Sequence, residues 1–264
     1  MTRQEPARPV SNRDAMNASS RTLVALDTDT AEKALELARR VGDEVAGFKV
    51  GLELINAAGF GLFDELKATA GVDANIFYDA KFHDIPNTVR GACRAAARRG
   101  LWMLNVHAGG GGAMMRAAVE GAHEGADAAG VARPLVIAVS VLTSLGPDAL
   151  RDELGVARTL PEQVSALARL AQDAGCDGLV ASPHEIGVVR AACGPDFLLV
   201  IPGVRPAGAD AGDQKRVMTP GEAVRAGADY IVVGRPISGA PNPAAAARAI
   251  NAETSHSAMS GNRA

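Results

Sequence analysis

The sequence lacks any long apolar run: no stretch approaches the roughly 18–20 consecutive apolar residues that a membrane-spanning helix requires. The first twenty residues are polar and lack the apolar core of a signal peptide. Cysteine is scarce, and Cys93, Cys176 and Cys193 form neither a CxxC pair nor a Cys/His cluster with zinc-like spacing. We therefore expect a reducing, cytoplasmic location and no membrane partner.

Sustained runs of lysine or arginine are also absent, and the formal net charge is only −3. Such a chain has no electrostatic footprint for nucleic acid or for an anionic membrane surface. Hydrophobic residues make up 47% of the 264 residues and charged residues 22%, as is usual for a globular protein with a sizeable core. A small-molecule partner is therefore expected, rather than a nucleic acid.

Between two polar ends, short β-rich apolar runs alternate with longer segments of Ala, Leu, Glu and Arg, the pattern of parallel strands joined by helices. Strands are predicted at 22–27, 46–51, 75–81, 102–107, 135–140, 178–181, 197–201 and 230–233. Helices are predicted at 30–41, 63–69, 87–99, 112–128, 161–174, 184–192, 220–226 and 243–251. The ends, 1–20 and 252–264, carry no apolar period and are predicted to be disordered tails.

Eight successive β-then-α units favour an α/β fold of the closed (β/α)8 TIM-barrel type, with residues 21–251 as one catalytic domain. An open Rossmann-like sheet is the alternative, but it normally uses five or six strands and leaves two edges. Active sites of such barrels lie at the C-terminal ends of the strands. Charged residues at those ends are therefore candidates for function.

The third predicted strand carries the most informative charges. Side chains alternate along a strand, so Asp79 and Lys81 share the face opposite the apolar residues Ile76, Tyr78 and Ala80. We expect the apolar row to face the helices and the charged pair to face the barrel mouth, where an unpaired buried ion costs several kcal/mol. An Asp-x-Lys on one strand can equally be a structural ion pair.

Three further charges strengthen the functional interpretation. Asp27 ends the first strand, Lys49 lies near the end of the second, and Asp84 follows the third where strand gives way to loop. Acids and bases that alternate around one rim hold each lysine between carboxylates, which favours the ammonium form and places a proton donor beside a substrate. We predict that these three residues meet Asp79 and Lys81 in one cavity.

The loops after strands seven and eight predict a phosphate site. IPGVRP and VVGRPISGA contain Gly203 and Gly234, which permit close backbone approach, and the cations Arg205 and Arg235. Arginine suits bidentate contact with phosphate oxygens. The long segment 206–219 between these loops is interpreted as a lid, with a merely flexible connection as the alternative.

Taken together, these segments resemble the orotidine 5′-phosphate decarboxylase family. DAKFHDIPNTV (79–89) is similar to the family's D-x-K-x-x-D-I-P-N-T signature, and ALD, KVG, VLTS, IPGVRP and VVGRPI match its other blocks in the same order, over roughly 23–250. The resemblance implies a homodimeric barrel enzyme without metal or other cofactor. It also implies the reaction, conversion of orotidine 5′-phosphate (OMP) to UMP and carbon dioxide in pyrimidine biosynthesis.

The resemblance implies a role for each matching residue. Lys81 would protonate C6 of the pyrimidine, Asp79 would lie beside the departing carboxylate, and Lys49 with Asp27 would contact the ribose and hold the charged network. Asp84 and Thr88 would reach into the neighbouring subunit's site. The other substrate contacts would come from Thr143 on the pyrimidine, Gln214 from the lid, and Gly234, Arg235 and Arg205 at the 5′-phosphate.

Two alternative functions remain open. Magnesium-dependent keto-sugar phosphate decarboxylases or aldolases of the same barrel group resemble this sequence less, because they carry a glutamate where Lys49 stands, and a carboxylate there would hold the metal. The second alternative is a nucleotide-binding barrel that has lost its chemistry. The intact set of charged residues argues against that loss.

Overall fold

The computed structural model describes residues 20–71, 74–206 and 218–260, so the predicted N-terminal tail falls almost entirely outside it. The strands are β1 (Thr22–Ala25), β2 (Gly47–Val50), β3 (Ile76–Phe82), β4 (Met103–His107), β5 (Leu135–Val139), β6 (Gly178–Val180), β7 (Leu198–Pro202) and β8 (Tyr230–Val233). The helices are α1 (Ala31–Val41), α2 (Leu52–Ala58), α3 (Leu62–Ala70), α4 (Pro86–Ala97), α5 (Gly111–Ala129), α6 (Pro147–Asp152), α7 (Leu160–Asp173), α8 (Ile186–Cys193), α9 (Pro220–Ala226), α10 (Arg235–Ser238) and α11 (Pro243–Ser260).

The strands form one closed parallel barrel in chain order, because β8 returns to pair with β1. Leu23 on β1 is the register partner of Gly47 on β2 and of Val232 on β8. Each predicted strand is present, with ends that differ by no more than about two residues. The predicted barrel is confirmed, and the open-sheet alternative is wrong because no described strand is left as an edge.

Side-chain alternation sorts the strand residues into an inner and an outer core. Leu23, Phe77 and Met103 belong to the cluster that fills the barrel interior. Ile76 and Tyr78 of β3 belong to the outer cluster, which packs against the surrounding helices. The predicted faces of β3 are therefore confirmed, and the packed interior leaves the space for a ligand at the strand ends.

Three helices were not predicted: α2, α6 and α10. They lie in the loops that follow β2, β5 and β8, at the end of the barrel where the site is expected. They have seven, six and four residues, too few turns to show an apolar period. Within the described ranges, no helix combines the length and apolar character needed to cross a bilayer.

The last helix, α11, continues to Ser260, past Asn251, where the sequence predicts the start of a C-terminal tail. Side chains tie this extension to the barrel. Thr254 is 3% exposed, and Glu253 accepts a hydrogen bond from the backbone N–H of Gly221 in α9. Because the side chains that make these contacts, Glu253 and Thr254, are polar, the sequence of the extension shows no apolar period.

Helices α4 and α5 pack with their backbones in close approach. An added Cβ at Gly121 or Gly125 of α5 would lie 2.2 Å from the carbonyl oxygen of Arg90 or Arg94, respectively, on α4. That separation is far below van der Waals contact, so a larger residue would force the helices apart. Helix α4, which makes this contact, begins directly after the turn that carries Asp84.

We expect Gly125→Ala to lower the free energy of unfolding by about 1–3 kcal/mol, because the added methyl overpacks the contact between α4 and α5. Gly187→Ala is the matched control: Gly187 is exposed in α8, and nothing lies within 4 Å of its added Cβ. Alanine's higher helix propensity should make that variant slightly more stable. Urea unfolding compares the two, and equal stabilities would show that the close helix contact does not require glycine.

Candidate active site

Four charged side chains meet at the C-terminal ends of β1, β2 and β3. Lys49 of β2 lies between two carboxylates, with Nζ 2.9 Å from Oδ1 of Asp27 and 3.3 Å from Oδ2 of Asp79. Lys81 Nζ lies 2.6 Å from Asp79 Oδ1. We call Asp27, Lys49, Asp79 and Lys81 the charged cluster. Its members alternate acid and base around the rim.

Asp79 is the buried centre of the charged cluster. Its side chain is 11% exposed, compared with 56% for Asp27. Burial by itself opposes ionisation, but the charges of Lys49 and Lys81, with hydrogen bonds from Lys81 and Asn105, outweigh it and hold the pKa of Asp79 below its usual value. Asp79 is therefore an ionised carboxylate at neutral pH.

Strand β3 is irregular where it presents these groups. Tyr78 pairs with Leu104 of β4, and Phe82 pairs with Val106, so the register shifts between the two pairs. Within this interval Lys81 has a φ of 49°, a left-handed conformation that no other described non-glycine residue adopts. Side chains other than glycine rarely adopt this region. The candidate proton donor therefore stands at a bulge in its strand.

Asn105 of β4 lies opposite this bulge, and the sequence analysis missed it. Its Oδ1 accepts a hydrogen bond of 2.7 Å from the backbone N–H of Lys81. Its Nδ2 donates one of 2.7 Å to Asp79 Oδ1. The signal that could have found it is an amide side chain within the apolar strand MLNVH, because a buried amide requires partners.

A cavity of about 190 Å³ opens beside the charged cluster. Apolar residues from the ends of β5 to β8 form its other wall: Val139, Val141, Leu142, Val180, Ala181, Val200, Pro202 and Val232. Thr143 adds a hydroxyl to the lining. One charged wall that faces one apolar wall suits a flat ligand whose reacting edge carries charge.

Histidines and cysteines are the other candidate ligands and nucleophiles of the barrel. The rings of His83 and His107 are tilted by 36° to each other, with centroids 5.4 Å apart. Burial lowers the pKa of His107, and the charges of His83 and Lys81 lower it further. Burial raises the pKa of Cys93 and Cys176 to about 12, so neither supplies a thiolate at neutral pH. Among the described residues, no group of three or more His, Cys, Asp or Glu side chains could hold a metal ion.

The loops after β7 and β8 lie at the same end of the barrel. Gly203 has a φ of 80°, which permits the turn that leads to the half-buried Arg205. Gly234 directly precedes α10, and the exposed Arg235 is the first residue of that helix. Gln214 lies in 207–217, outside the described residues, as does most of the predicted lid.

Asp84 and Thr88 stand apart from the charged cluster. Both are exposed, one before and one within the start of α4. Asp84 Oδ1 accepts a hydrogen bond from the backbone N–H of Ile85, and among the described residues no ion pair joins it to a lysine. Ile85 on the same turn is 67% exposed. One chain alone therefore brings together four of the five predicted charges.

The chain is similar over most of its length to proteins of one known family. Residues 20–250 match the family described as "Orotidine 5'-phosphate decarboxylase / HUMPS family". The chain is 53% identical over 238 residues to the orotidine 5′-phosphate decarboxylase of Moorella thermoacetica, covering 90% of this chain and 93% of that protein. It is 54% identical over 237 residues to that of Anaeromyxobacter sp. (strain K), covering 90% and 99%.

Among solved structures, the chain is similar to the crystal structure of orotidine 5′-phosphate decarboxylase from Lactobacillus acidophilus. The TM-score is 0.78 at 38% sequence identity, and the match covers 89% of this chain and 99% of that one. The residues that match the family, 20–250, span the whole barrel and include every residue of the charged cluster.

Proposed function

Because this chain belongs to the orotidine 5′-phosphate decarboxylase family, we propose that it decarboxylates OMP directly, with Lys81 delivering the proton to C6 to give UMP. The chain is a carboxy-lyase of pyrimidine biosynthesis. The observation that carries the proposed mechanism is the 2.6 Å contact between Lys81 Nζ and the buried Asp79 carboxylate, which holds an ammonium group at the cavity. A cytoplasmic location is part of the proposal, supported by three cysteines that form no disulfide.

Substrate binding is proposed to use both walls of the cavity. The pyrimidine packs against the apolar wall with its polar edge toward Thr143. The ribose lies at Lys49, which lines the cavity, and at Asp27, which pairs with Lys49. The 5′-phosphate lies at Gly234 and Arg235, where a glycine permits close approach and an arginine supplies charge. We propose that Arg205 also contributes to this contact, as does Gln214, which lies outside the described residues. Binding energy from the 5′-phosphate then positions the pyrimidine ring, although the reacting carbon C6 is remote from the phosphate.

The chemical step breaks the bond between C6 and the carboxylate carbon. The electron pair remains on C6, carbon dioxide leaves, and a proton from Lys81 Nζ forms the new C6–H bond. A preplaced ammonium group stabilises the negative charge as it develops on C6, with little reorganisation of the site. Asp79 lies beside the substrate carboxylate, so the two negative charges repel each other until carbon dioxide departs.

A homodimer with shared sites is the second part of the proposal. Asp84 and Thr88 flank a turn whose polar groups do not contact the charged cluster of their own chain, and Ile85 on that turn is 67% exposed. A second copy that covers this turn would bury Ile85 and receive Asp84 beside its own Lys81. Each site would then consist of residues from two chains, which is the isologous arrangement of a two-fold dimer.

The experiment that tests the function is a spectrophotometric assay of OMP consumption with and without a chelator. We expect full turnover in the chelator, since Lys49 stands where the magnesium-dependent relatives would place a metal-binding carboxylate. A requirement for added magnesium would support the keto-sugar phosphate alternative instead. Tight UMP binding without turnover would support a non-catalytic nucleotide-binding barrel.

We expect Lys81→Ala to abolish turnover while the Kd for UMP stays within about tenfold, because the proton donor acts on the developing carbanion rather than on the product. Arg235→Ala is the matched variant: its loss of a phosphate contact should raise KM far more than it lowers kcat. Steady-state kinetics and UMP titration measure both. Near-normal turnover in Lys81→Ala would exclude Lys81 as the proton donor.

Mixing chains with different lesions tests the shared site. Dimers of one Lys81→Ala chain and one Asp84→Ala chain should contain one site with both residues intact, so random mixing should restore about a quarter of wild-type activity. The control mixes Lys81→Ala with Asp79→Ala chains, whose lesions damage every site whatever the pairing. If the first mixture recovers no more activity than the control, Asp84 does not act in the partner's site.

A further inference from the structure

We infer that Asn105 is a positioning residue for this reaction, whose buried amide holds the Asp79 carboxylate and the backbone of Lys81 in one fixed arrangement. The inference deepens the proposed function and rests on it, because it assigns to Asn105 an effect that acts through Asp79 and Lys81. Asn105 lies outside the cavity lining and is fully buried, so it affects the substrate only through these two residues.

The first observation is the gap in the ladder between β3 and β4. Four residue steps on β3, from Tyr78 to Phe82, face only two steps on β4, from Leu104 to Val106. Asn105 is the β4 residue in the middle of this interval. Its side-chain Oδ1 accepts a hydrogen bond of 2.7 Å from the backbone N–H of Lys81. A side-chain oxygen therefore replaces the backbone carbonyl that would pair with this N–H in a regular ladder.

The second observation is the conformation that this hydrogen bond accompanies. Lys81 has a φ of 49°, which is disfavoured for any residue with a Cβ and persists only where surrounding contacts hold it. The Asn105 hydrogen bond is such a contact, because it fixes the direction of the Lys81 N–H. Without it, the backbone at Lys81 can relax toward the extended form, and Nζ would move relative to Asp79.

The third observation is that both halves of the amide are used. Nδ2 donates a hydrogen bond of 2.7 Å to Asp79 Oδ1, which also accepts one from Lys81 Nζ. The other carboxylate oxygen, Asp79 Oδ2, lies 3.3 Å from Lys49 Nζ. A flipped amide would set its oxygen against the carboxylate and its NH₂ against a backbone N–H, so only one orientation satisfies both partners. Asn105 therefore determines how the Asp79 carboxylate is rotated between the two lysines.

These contacts explain why asparagine, rather than a similar residue, occupies the position. Leucine would leave the Lys81 N–H buried without this partner and would remove one donor from the Asp79 carboxylate. Aspartate would keep the acceptor but would place a second carboxylate against Asp79. Alanine would remove both contacts and leave a cavity. Of these residues, only asparagine supplies an acceptor and a neutral donor on one planar group.

Asn105→Ala tests the inference by comparing kcat with binding. We expect kcat to fall at least about tenfold, while KM for OMP and the Kd for UMP change less than about threefold, because the altered groups act in the chemical step. Ser140→Ala is the matched control. Ser140 is also a buried polar residue at a strand end, and its hydroxyl donates to the carbonyl of Val180, away from Asp79. That variant should keep kcat.

The pH profile gives a readout that a purely structural role would not move. Around Asp79, the titratable groups are Lys49 on β2, Lys81 on its own strand and His107 on β4, and none of these changes in Asn105→Ala. Because the hydrogen bond from Asn105 lowers the pKa of Asp79, its loss should raise that pKa. The acid limb of kcat/KM should therefore shift to higher pH than in the wild type, measured with the same substrate.

Asn105→Asp keeps the test decisive if the alanine variant does not fold. It retains the acceptor for Lys81 but adds a carboxyl group next to Asp79, so the acid limb should shift further toward higher pH than in Asn105→Ala. Wild-type turnover of OMP tests the function separately. If the wild type is active and both Asn105 variants match Ser140→Ala in kcat and acid limb, the positioning role is wrong while the proposed function stands.

Discussion

The burial of the Asp79 carboxylate is the constraint on which the site depends. An ionised group with 11% of its side chain exposed is stable only among partners, and these come from three adjacent strands: Lys49, Lys81 and Asn105. Loss of one partner leaves a buried charge or donor uncompensated, which costs more than the pair itself contributes. The registers of β2, β3 and β4 must therefore bring these ends together as well as pack the core beneath them.

The barrel divides its mouth into a charged half and an apolar half. The ends of β1 to β3 carry the charged cluster, whereas the ends of β5 to β8 supply the apolar wall of the cavity. An apolar wall excludes water and lowers the local dielectric, so the charges opposite act more strongly on a ligand between them. This division fits the proposed reaction, in which a carboxylate leaves as neutral carbon dioxide and negative charge develops at the ring edge nearest the lysines.

Periodicity predicted much of this arrangement, because strand alternation is a local property. The eight strands, the faces of β3 and the positions of Asp27, Lys49, Asp79 and Lys81 at strand ends follow from spacing alone. The bulge at Lys81 does not, since it depends on how many residues of β4 stand opposite. For the same reason, spacing along one strand does not reveal the partners of Asn105.

Other features of the structure could not be predicted from local sequence patterns, each for a different reason. Helices α2, α6 and α10 are too short to show a period, and α11 passes Asn251 because polar contacts rather than an apolar face hold its extension. The role proposed for Asp84 involves two chains, since among the described residues it forms no ion pair with a lysine of its own chain. A sequence can identify such a residue by resemblance, but spacing within one chain cannot show which subunit's site it serves.

Charge balance within the cluster leads to a further step in the proposed reaction. Two carboxylates and two ammonium groups make the cluster neutral before reaction. When Lys81 gives its proton to C6, the negative charge of the lost carboxylate is transferred to the cluster, and Lys49 alone then faces Asp27 and Asp79. Two carboxylates beside one ammonium favour return of a proton to Lys81. In the proposed dimer, Asp84 from the second chain would strengthen that preference and so would also help restore the proton donor for the next turnover.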